Sequence, residues 1–328
     1  MKRRLHATAR RPWARTLGTG LVAVFVAALL GPNSASAATE PALDTPVATL
    51  DAALSCPSAF THPNREPVLL VHGTTSTNDE TWGWNYAPAL RDAGYDVCGV
   101  ELPNRSMGDI QVASEYVVHA IDKIYASTGR KVDVIGHSQG NMQMRWAVKW
   151  WPHLRNQVDD LVFLANPGHG ITGGNLFCLG SCAPALHQFN IGSNFVAALN
   201  RDDETPGAIS YTNIYSLTDE AITPFTTAPL NGAKNILVQD ICAGRVVAHF
   251  SMLYDAVTYR LVVDALSHSG TAIPSRLPFG KCLDVNLPGV WPHEAAAATA
   301  ITGANFTAEI LNATKVPAEP PLRAYARQ

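Results

Sequence analysis

Residues 131–140 read Lys-Val-Asp-Val-Ile-Gly-His-Ser-Gln-Gly, and this stretch decides the fold. Its first six residues predict a buried β-strand, and the apolar spacing from Met142 to Trp150 predicts a helix directly after it. Between them, residues 136–140 match the G-x-S-x-G pattern of a nucleophile elbow. The two glycines of such an elbow permit a tight turn that lifts the serine hydroxyl clear of the sheet. The stretch therefore predicts a nucleophilic Ser138 at the start of a helix.

Strands and helices alternate on both sides of this stretch. Apolar runs without internal alternation are typical of strands that are buried on both faces of a parallel sheet. We predict strands at 67–71, 95–100, 131–136, 161–165, 214–217 and 235–238, and helices at 114–125, at 142–150 and before Gly94. This order predicts an α/β fold with a mostly parallel central sheet and helices on both faces. Ligand chemistry is then expected at the carboxyl ends of the strands.

Two segments depart from the alternation. The Gly-rich segment 168–206 is predicted to be a lid-like insertion, with a short apolar helix near Phe195 to Leu199. This segment is either a hinged flap or one wall of a permanently open funnel, and the shortness of the helix favours the funnel. Residues 38–65 are rich in Pro, Ala and Ser and predict an irregular N-terminal arm.

The N-terminus has the order of a secretory signal peptide. A basic stretch precedes an apolar run from Leu17 to Gly31 and an Ala-x-Ala site at 35–37. We therefore predict a leader at 1–37, with a retained anchor as the alternative, and one α/β domain at 38–328. No later stretch is apolar enough to span a bilayer. We expect a secreted, extracellular monomer without stable membrane insertion.

Charge and cysteine content exclude several classes of function. The net charge is −3 and the basic residues are scattered, which argues against a nucleic-acid partner. All 6 cysteines follow the predicted leader, and an even number in an exported chain predicts disulfides. Their spacing matches no zinc pattern, so no metal is expected, and no motif calls for a cofactor.

An earlier loop supplies candidates for stabilising negative charge. His72-Gly73-Thr74 follows the predicted strand 67–71. In this architecture the oxyanion hole uses the N–H after the nucleophile, here that of Gln139, and one N–H from an early loop. Thr74 is the natural second donor, and its hydroxyl is a candidate third one. His72 is interpreted as structural because it precedes the serine in the chain.

The acid of a catalytic triad follows the serine in this architecture, and the histidine follows the acid. Asp219 lies just after the predicted strand 214–217 and is the first candidate for the acid. Its neighbour Glu220 and the later Asp240 are alternatives that the sequence leaves open.

His249 is the candidate base, because it lies on a loop after the predicted strand 235–238. From there the imidazole can reach the serine at the sheet edge, with the acid fixing its tautomer. Four further histidines follow the serine but fall too early or too late by this strand count: His169, His187, His268 and His293.

These segments together resemble the Candida antarctica lipase B family, secreted lipases of the α/β-hydrolase superfamily that include bacterial members. The resemblance runs from about Cys56 to about Cys282. It is carried by Leu-Leu-Val-His-Gly-Thr (69–74), Ser-Gln-Gly (138–140), Val-Asp-Asp-Leu (158–161), Tyr-Ser-Leu-Thr-Asp-Glu (215–220), Asn-Gly-Ala-Lys-Asn (231–235) and the stretch 242–249.

The resemblance implies roles for residues of this chain. It implies a triad of Ser138, Asp219 and His249, with Thr74 and Gln139 as the oxyanion hole. It also implies two disulfides, Cys56–Cys98 and Cys242–Cys282. Three features depart from the family: the Gly-His-Ser-Gln-Gly elbow, the extra pair Cys178 and Cys182, and a shorter tail. A Cys178–Cys182 bridge would close a very small loop and stiffen the insertion.

The resulting hypothesis is a serine carboxylester hydrolase, a lipase or esterase that acts on acylglycerols or other lipid esters, also at a lipid–water interface. An exported acyltransferase or polyester depolymerase on the same fold is the alternative, and an inactive binding protein is the third. Apolar residues expected near the mouth favour an acyl chain as substrate, although core packing would also explain them: Ile191, Phe195, Val196, Leu199, Ile222 and Phe225.

Overall fold

The computed structural model describes residues 40–174 and 180–327, and all of them belong to one compact unit. The predicted leader 1–37 lies outside the described residues. The described chain forms one seven-stranded sheet. Its strands are β1 (Leu54–Ser55), β2 (Val68–Val71), β3 (Val97–Val100), β4 (Val132–His137), β5 (Val158–Leu164), β6 (Ser210–Tyr215) and β7 (Lys234–Leu237).

The sheet has the order β1-β3-β2-β4-β5-β6-β7. Only β1 is antiparallel to its neighbour, and every other pair is parallel. This topology confirms the predicted mostly parallel α/β sheet. Strand β4 is the central strand, so the residues that follow it lie in the middle of the edge where ligands bind in such sheets.

Ten α-helices occur in the described part of the chain, and none of them is long and apolar enough to cross a membrane. They are α1 (Val47–Ala53), α2 (Asn78–Trp82), α3 (Tyr86–Asp92), α4 (Ile110–Thr128), α5 (Gly140–Trp150), α6 (Pro184–Gln188), α7 (Asn194–Asn200), α8 (Val238–Ile241), α9 (Ala256–Leu266) and α10 (Pro292–Asn312).

The sheet is covered on both faces. In β2, Leu69 and Val71 belong to a core cluster with residues of α4 and α5, whereas Val68 and Leu70 belong to a second cluster with residues of α3 and α9. Successive side chains of a strand point to opposite faces, so a strand that is covered on both faces, such as β2, carries apolar residues at consecutive positions. This requirement explains the unbroken apolar runs in the sequence.

Helix α4 begins earlier than predicted, because its start is defined by a cap rather than by apolar spacing, and it ends at Thr128-Gly129, the stop that the sequence indicated. The Asp109 carboxylate accepts the Gln111 N–H at the start, and Gly129 ends the helix with a left-handed φ of 64°. The first turns contain buried polar residues that interrupt the apolar pattern. One of them, Glu115, accepts the backbone N–H of Thr45 at 2.7 Å.

Strand β6 ends earlier than predicted. The sequence placed the strand at 214–217, but it runs from Ser210 to Tyr215. The Ser216 hydroxyl accepts the Thr218 N–H at 3.1 Å, which turns the chain out of the strand, and Leu217 is exposed. Asp219 therefore lies on a loop beyond the strand end.

The prediction of an irregular arm at 38–65 was wrong. Helix α1 follows Pro46 and buries Leu50 in the core cluster that contains α4. Strand β1 then pairs with β3 at the sheet edge, with Leu54 opposite Val100. Neither element is long enough to show a period in the sequence, and both form because tertiary packing and edge pairing stabilise them.

Candidate active site

Ser138 lies in a strained turn between β4 and α5. Its φ is 55°, which is in the left-handed region that side chains rarely adopt. A Cβ on Gly140 would lie 2.5 Å from the Val71 carbonyl oxygen, so only glycine lets α5 start this close to β2. The serine is partly exposed, whereas its flanking residues His137 and Gln139 are buried. This geometry is that of a nucleophile elbow.

The loops after β6 and β7 bring two further side chains to Ser138. His249 Nε2 lies 2.9 Å from Ser138 Oγ, and His249 Nδ1 lies 3.0 and 3.1 Å from the two carboxylate oxygens of Asp219. A carboxylate only accepts hydrogen bonds, so Nδ1 carries the proton and Nε2 is free to accept one from the serine. The three side chains that the sequence suggested are therefore in contact in the required order.

The electrostatics of the pair depend on burial and on mutual charge. Burial alone would raise the pKa of Asp219, but His249 and the backbone N–H groups of Ala221 and Ile222 outweigh it and lower the pKa. Burial would lower the pKa of His249, but the negative charges of Asp219 and Glu220 outweigh it and raise the pKa. The pair thus favours an ionised carboxylate beside an imidazole that readily takes up a proton.

Two residues beside Ser138 have backbone N–H groups that are free to donate. Thr74 and Gln139 both line the cavity at Ser138, and neither N–H has a hydrogen-bond acceptor among residues 40–174 and 180–327. A Cβ on Gly73 would lie 3.0 Å from Ser138 Cβ, so glycine allows this loop to approach the serine. The Thr74 hydroxyl, a candidate third donor, instead donates to Gln139 Oε1.

The cavity at Ser138 has a volume of about 500 Å³. Its apolar walls come from the segment 168–206, from the loop after β6, from the chain around His249 and from α10, and they include Ile171, Leu186, Phe189, Ile222, Phe250, Leu253 and Phe306. Glu80, Ser76 and Thr81 supply polar groups on another side.

Of the six apolar residues predicted at the mouth, only Ile222 lines the cavity. Phe195 is fully buried and stacks on Trp146 of α5 at a centroid distance of 4.4 Å, and Val196 and Leu199 lie in the same core cluster. Helix α7 is therefore part of the core and not a flap. Its apolar face already has a partner within the domain.

Helix α10 contributes to the site although the sequence did not indicate it. Thr302, Gly303 and Phe306 line the cavity from this helix. Its Ala-rich sequence carries little apolar periodicity and no chemical motif, so no local signal could have placed it there. Arg105 ties the helix to the rest of the site through Glu309, at 3.1 Å, and through Glu80.

The alternative acids and bases lie elsewhere or make other contacts. Asp240 is exposed on α8, and the Glu220 carboxylate accepts the backbone N–H of His249 rather than facing its ring. His72 donates from Nδ1 to the Gly73 carbonyl and accepts the Leu102 N–H, so it is a buried structural residue.

The four other histidines that follow the serine and were considered as bases make contacts elsewhere. His169 faces Glu204, His187 faces the Val316 carbonyl, His268 faces the Asp264 carbonyl and His293 is exposed at the start of α10.

The structure contains disulfides Cys56–Cys98 and Cys242–Cys282, the two pairs that the resemblance implied. The first joins the chain after β1 to β3, and the second joins the chain after α8 to the segment that precedes α10. The predicted Cys178–Cys182 bridge stays a prediction, because Cys178 lies outside the described residues.

One group of described side chains could hold a metal ion: carboxylate oxygens of Asp133, Asp159 and Asp160 lie within 4.8 Å of one another. They lie at the amino ends of β4 and β5, at the sheet edge opposite Ser138. Burial raises the pKa of Asp133 well above its usual value and that of Asp160 to about 8. Protons on both carboxyl groups can therefore neutralise the buried pair, and Lys131 forms an ion pair with Asp159 at 3.0 Å.

Fold and site together define the class of protein. A parallel sheet with a serine elbow after its central strand, and a carboxylate and a histidine on later loops of the same edge, is the architecture of an α/β-hydrolase. The crystal structure of Aspergillus fumigatus lipase B matches with a TM-score of 0.82 and 30% identity, over 89% of this chain and 74% of that one. The mature form of Bacillus licheniformis lipase BlEst2 shares the fold at 18% identity, with a TM-score of 0.50 over 61% of this chain and 92% of that one.

Sequence comparison places the chain in a family within that class. The profile of the family "Lipase (class 2)" matches residues 65–249. Lipase B of Pseudozyma antarctica is 31% identical over 318 residues, in an alignment that covers 94% of this chain and 93% of that protein. The chain belongs to the class 2 lipase family, in which it is similar to lipase B. It is accordingly a carboxylester hydrolase.

Proposed function

We propose that this protein is a secreted lipase or esterase in which Ser138, His249 and Asp219 act as a catalytic triad through an acyl-enzyme intermediate. One observation carries the proposal: His249 Nε2 lies 2.9 Å from Ser138 Oγ while the opposite ring nitrogen faces the buried Asp219. Two later loops bring these groups together at the elbow, and a turn with a merely structural role needs no such alignment.

In the first half of the reaction, His249 Nε2 takes the Ser138 proton as Oγ attacks the ester carbonyl carbon. The carbonyl π electrons move to oxygen, and the backbone N–H groups of Thr74 and Gln139 stabilise the resulting oxyanion. When the tetrahedral intermediate collapses, the alcohol leaves with the proton from His249, and the acyl group stays on Ser138. Asp219 remains ionised and stabilises the imidazolium.

In the second half, water replaces the alcohol. His249 removes a proton from water as its oxygen attacks the acyl carbon, and the same two N–H groups stabilise the second oxyanion. Collapse breaks the bond to Ser138 Oγ, which recovers its proton from His249, and the carboxylic acid leaves. The enzyme returns to its starting state without a cofactor.

The cavity supports an acyl ester of a lipid as the substrate. Its volume of about 500 Å³ and its apolar walls suit an acyl chain, which gains free energy when it leaves water. We propose a monomer as the active form, because the three triad side chains meet within one chain and the reaction needs no group from a second copy. We further propose that the enzyme works at lipid–water interfaces, through the open side of this cavity.

The predicted leader and the two disulfides support secretion to the extracellular space. Membership of a bacterial branch of the family stays a prediction, since the two relatives near 30% identity come from Pseudozyma antarctica and Aspergillus fumigatus.

The proposal is tested by replacing the nucleophile. We expect Ser138→Ala to abolish labelling by a fluorophosphonate probe and to lower hydrolysis of p-nitrophenyl esters by more than about a thousandfold, because triad residues contribute on the order of 10⁶ to kcat. Ser267→Ala, at an exposed serine that follows α9, is the matched control and should keep both properties. A Ser138→Ala variant that still hydrolyses esters above that level would contradict the nucleophile assignment.

A further inference from the structure

Glu220 and His137 contact the backbone of His249 from two sides. The His249 N–H donates to Glu220 Oε2 at 2.9 Å. On the other side, His137 Nε2 lies 3.0 Å from the His249 carbonyl oxygen. A carbonyl oxygen only accepts, so His137 Nε2 carries a proton and donates it. The backbone N–H and the backbone carbonyl of His249 are therefore both hydrogen-bonded by side chains. One of these side chains comes from the loop after β6 and the other from β4.

His137 is suited to a fixed donor role. It is the last residue of β4, is 2% exposed, and its ring packs against the His249 ring at a centroid distance of 4.8 Å. Trp82 also packs against the His137 ring in an edge-on arrangement, at a centroid distance of 6.5 Å. Burial lowers the pKa of His137 to about 3, so the ring stays neutral while His249 titrates. His137 is therefore a neutral donor to the His249 carbonyl oxygen.

Glu220 combines a hydrogen bond with a charge. It adjoins Asp219 in the chain, but Asp219 contacts the ring of His249 and Glu220 contacts its backbone. A carboxylate that accepts a backbone N–H makes a charge-assisted hydrogen bond, which is stronger than a neutral one. Glu220 is exposed and lines the cavity at Ser138.

We infer that Glu220 and His137 are positioning residues, which hold the backbone of His249 so that its Nε2 stays within hydrogen-bond reach of Ser138 Oγ. This inference rests on the proposed role of His249 as the base. Such a hold matters because the stretch from Cys242 to His249 lies outside helices and strands, and a shift of about 1 Å at a catalytic group can cost about a hundredfold in rate.

The charge of Glu220 has a separate consequence for pH dependence. The titratable groups that face His249 are Asp219 and Glu220 from the loop after β6 and His137 from β4, and Glu80 of α2 lines the same cavity. Asp219 and Glu220 both raise the pKa of His249, and His137 is neutral. Removing the Glu220 charge therefore lowers the pKa of His249, so the base stays deprotonated to a lower pH.

Two substitutions at Glu220 separate its charge from its hydrogen bond. Glu220→Gln keeps an acceptor oxygen, and we expect kcat at pH 8 within about threefold of wild type, with the acid limb of the kcat/KM profile moved to lower pH. Glu220→Ala removes the acceptor, and we expect kcat to fall by about tenfold or more with KM within about twofold, since the His249 N–H loses a charge-assisted hydrogen bond. Asp240→Asn, at an exposed carboxylate without contact to His249, is the control and should reproduce the wild-type profile.

Two substitutions at His137 test the other side. His137→Phe keeps a ring but removes the donor, and we expect a fall of about tenfold in kcat with KM within about twofold. His137→Gln restores an N–H at the end of the side chain and should recover most of that loss. Thermal unfolding of each variant shows whether the fold is kept. If a His137 variant does not fold, the Glu220 pair alone decides the inference.

The outcomes distinguish this inference from the proposed function. If wild-type enzyme is not labelled by a fluorophosphonate at Ser138, the proposed triad itself is wrong. If labelling is normal but Glu220→Gln keeps the wild-type pH profile and Glu220→Ala keeps the wild-type kcat, Glu220 does not position His249. Equal losses in His137→Phe and His137→Gln would show that His137 acts by packing alone and would overturn its donor role.

Discussion

At the scale of single residues, Asp219 and Glu220 show how neighbouring carboxylates take different positions. The side chain of Asp219 turns inward, where its Oδ1 also accepts the N–H groups of Ala221 and Ile222 at 3.0 and 2.9 Å. These two hydrogen bonds orient the Asp219 carboxylate independently of its contact with His249. Glu220 points to the cavity side and can reach only the backbone of His249. Local hydrogen bonding, rather than residue type, thus separates the acid from its neighbour.

The acid assignment leads to a prediction for Asp219→Asn. We expect this variant to lose about 10⁴-fold in kcat, because an amide no longer holds the His249 tautomer in which Nε2 can accept a proton. Asp240→Asn should stay within about twofold of wild type, since Asp240 is exposed on α8. Steady-state kinetics on a short p-nitrophenyl ester measure both variants. A larger loss in Asp240→Asn would mean that the wrong strand end had been assigned to the acid.

At the scale of elements, an irregularity between β4 and β5 concentrates acidic residues. Val132 pairs with Val158 and Val134 pairs with Leu161, so two residues of β5 lie opposite the single Asp133. The extra residue places both Asp159 and Asp160 beside Asp133. Buried oxygens of Asp133 and Asp160 have no hydrogen-bond partner among the described residues. Ionisation of Asp133 and Asp160 would consequently destabilise the folded protein, and protons bound to the two carboxyl groups avoid this.

We predict that Asp160→Asn stabilises the protein by an amount that grows with pH. The folded-state pKa of Asp160 is about 8, raised mainly by burial, whereas the unfolded chain has the ordinary value near 4. The stability that the bound proton provides is present below pH 4 and is lost as the pH rises to about 8. Asparagine stays neutral throughout, so the free energy of unfolding of the variant relative to wild type should increase from pH 5 to pH 9.

Urea unfolding at pH 5, 7 and 9 measures this difference. Asp92→Asn, at an exposed carboxylate in the last turn of α3, is the control and should show no such trend. A difference between Asp160→Asn and wild type that stays constant with pH would contradict a protonated Asp160.

Helices α7 and α10 illustrate the limits of sequence patterns at this scale. The sequence of α7 shows a short apolar run, and that of α10 shows little apolar periodicity. In the structure α7 is buried against Trp146, whereas α10 is largely exposed and borders the cavity. An apolar run shows that a helix has a partner but not which partner it has. The position of each helix follows from what packs against it in three dimensions.

At the scale of the whole molecule, a disulfide and several polar contacts link the loop that carries His249 to the segment before α10. Cys242 is bonded to Cys282, and Arg245 forms an ion pair with Asp255 at 2.6 Å. The Arg245 side chain also donates to the carbonyl oxygens of Cys282, Asp284 and Val285. A covalent bond and an arginine with several acceptors therefore fix the same loop.

The two disulfides should contribute alike to stability and little to activity. They join residues 42 and 40 positions apart, and each is expected to contribute about 4 kcal/mol by limiting the entropy of the unfolded chain. We expect the double variants Cys56→Ser/Cys98→Ser and Cys242→Ser/Cys282→Ser to lower the free energy of unfolding by similar amounts in urea. Ester hydrolysis by the second should stay within about threefold of wild type, because Arg245 still holds the loop. A loss of activity without a loss of stability would show instead that the disulfide positions His249 directly.

The sequence by itself determined those features that depend on local rules. Unbroken apolar runs specify strands buried on both faces, and the flanking glycines specify the turn at Ser138, because each steric demand lies within a few residues of chain. Chain order then ranked Asp219 and His249 first, although Glu220 and Asp240 stayed open. The sequence showed which carboxylates and apolar residues are neighbours in the chain. It did not show the direction in which each of their side chains points.

Only the tertiary structure decided which of these side chains meet. It assigned the ring of His249 to Asp219 and its backbone to Glu220, buried Phe195 against Trp146, and brought Phe306 to the cavity. These contacts join residues that lie far apart in the chain. Their existence depends on the packing of helices on both faces of the sheet and on where each loop leaves it, and neither is encoded in any short stretch of sequence.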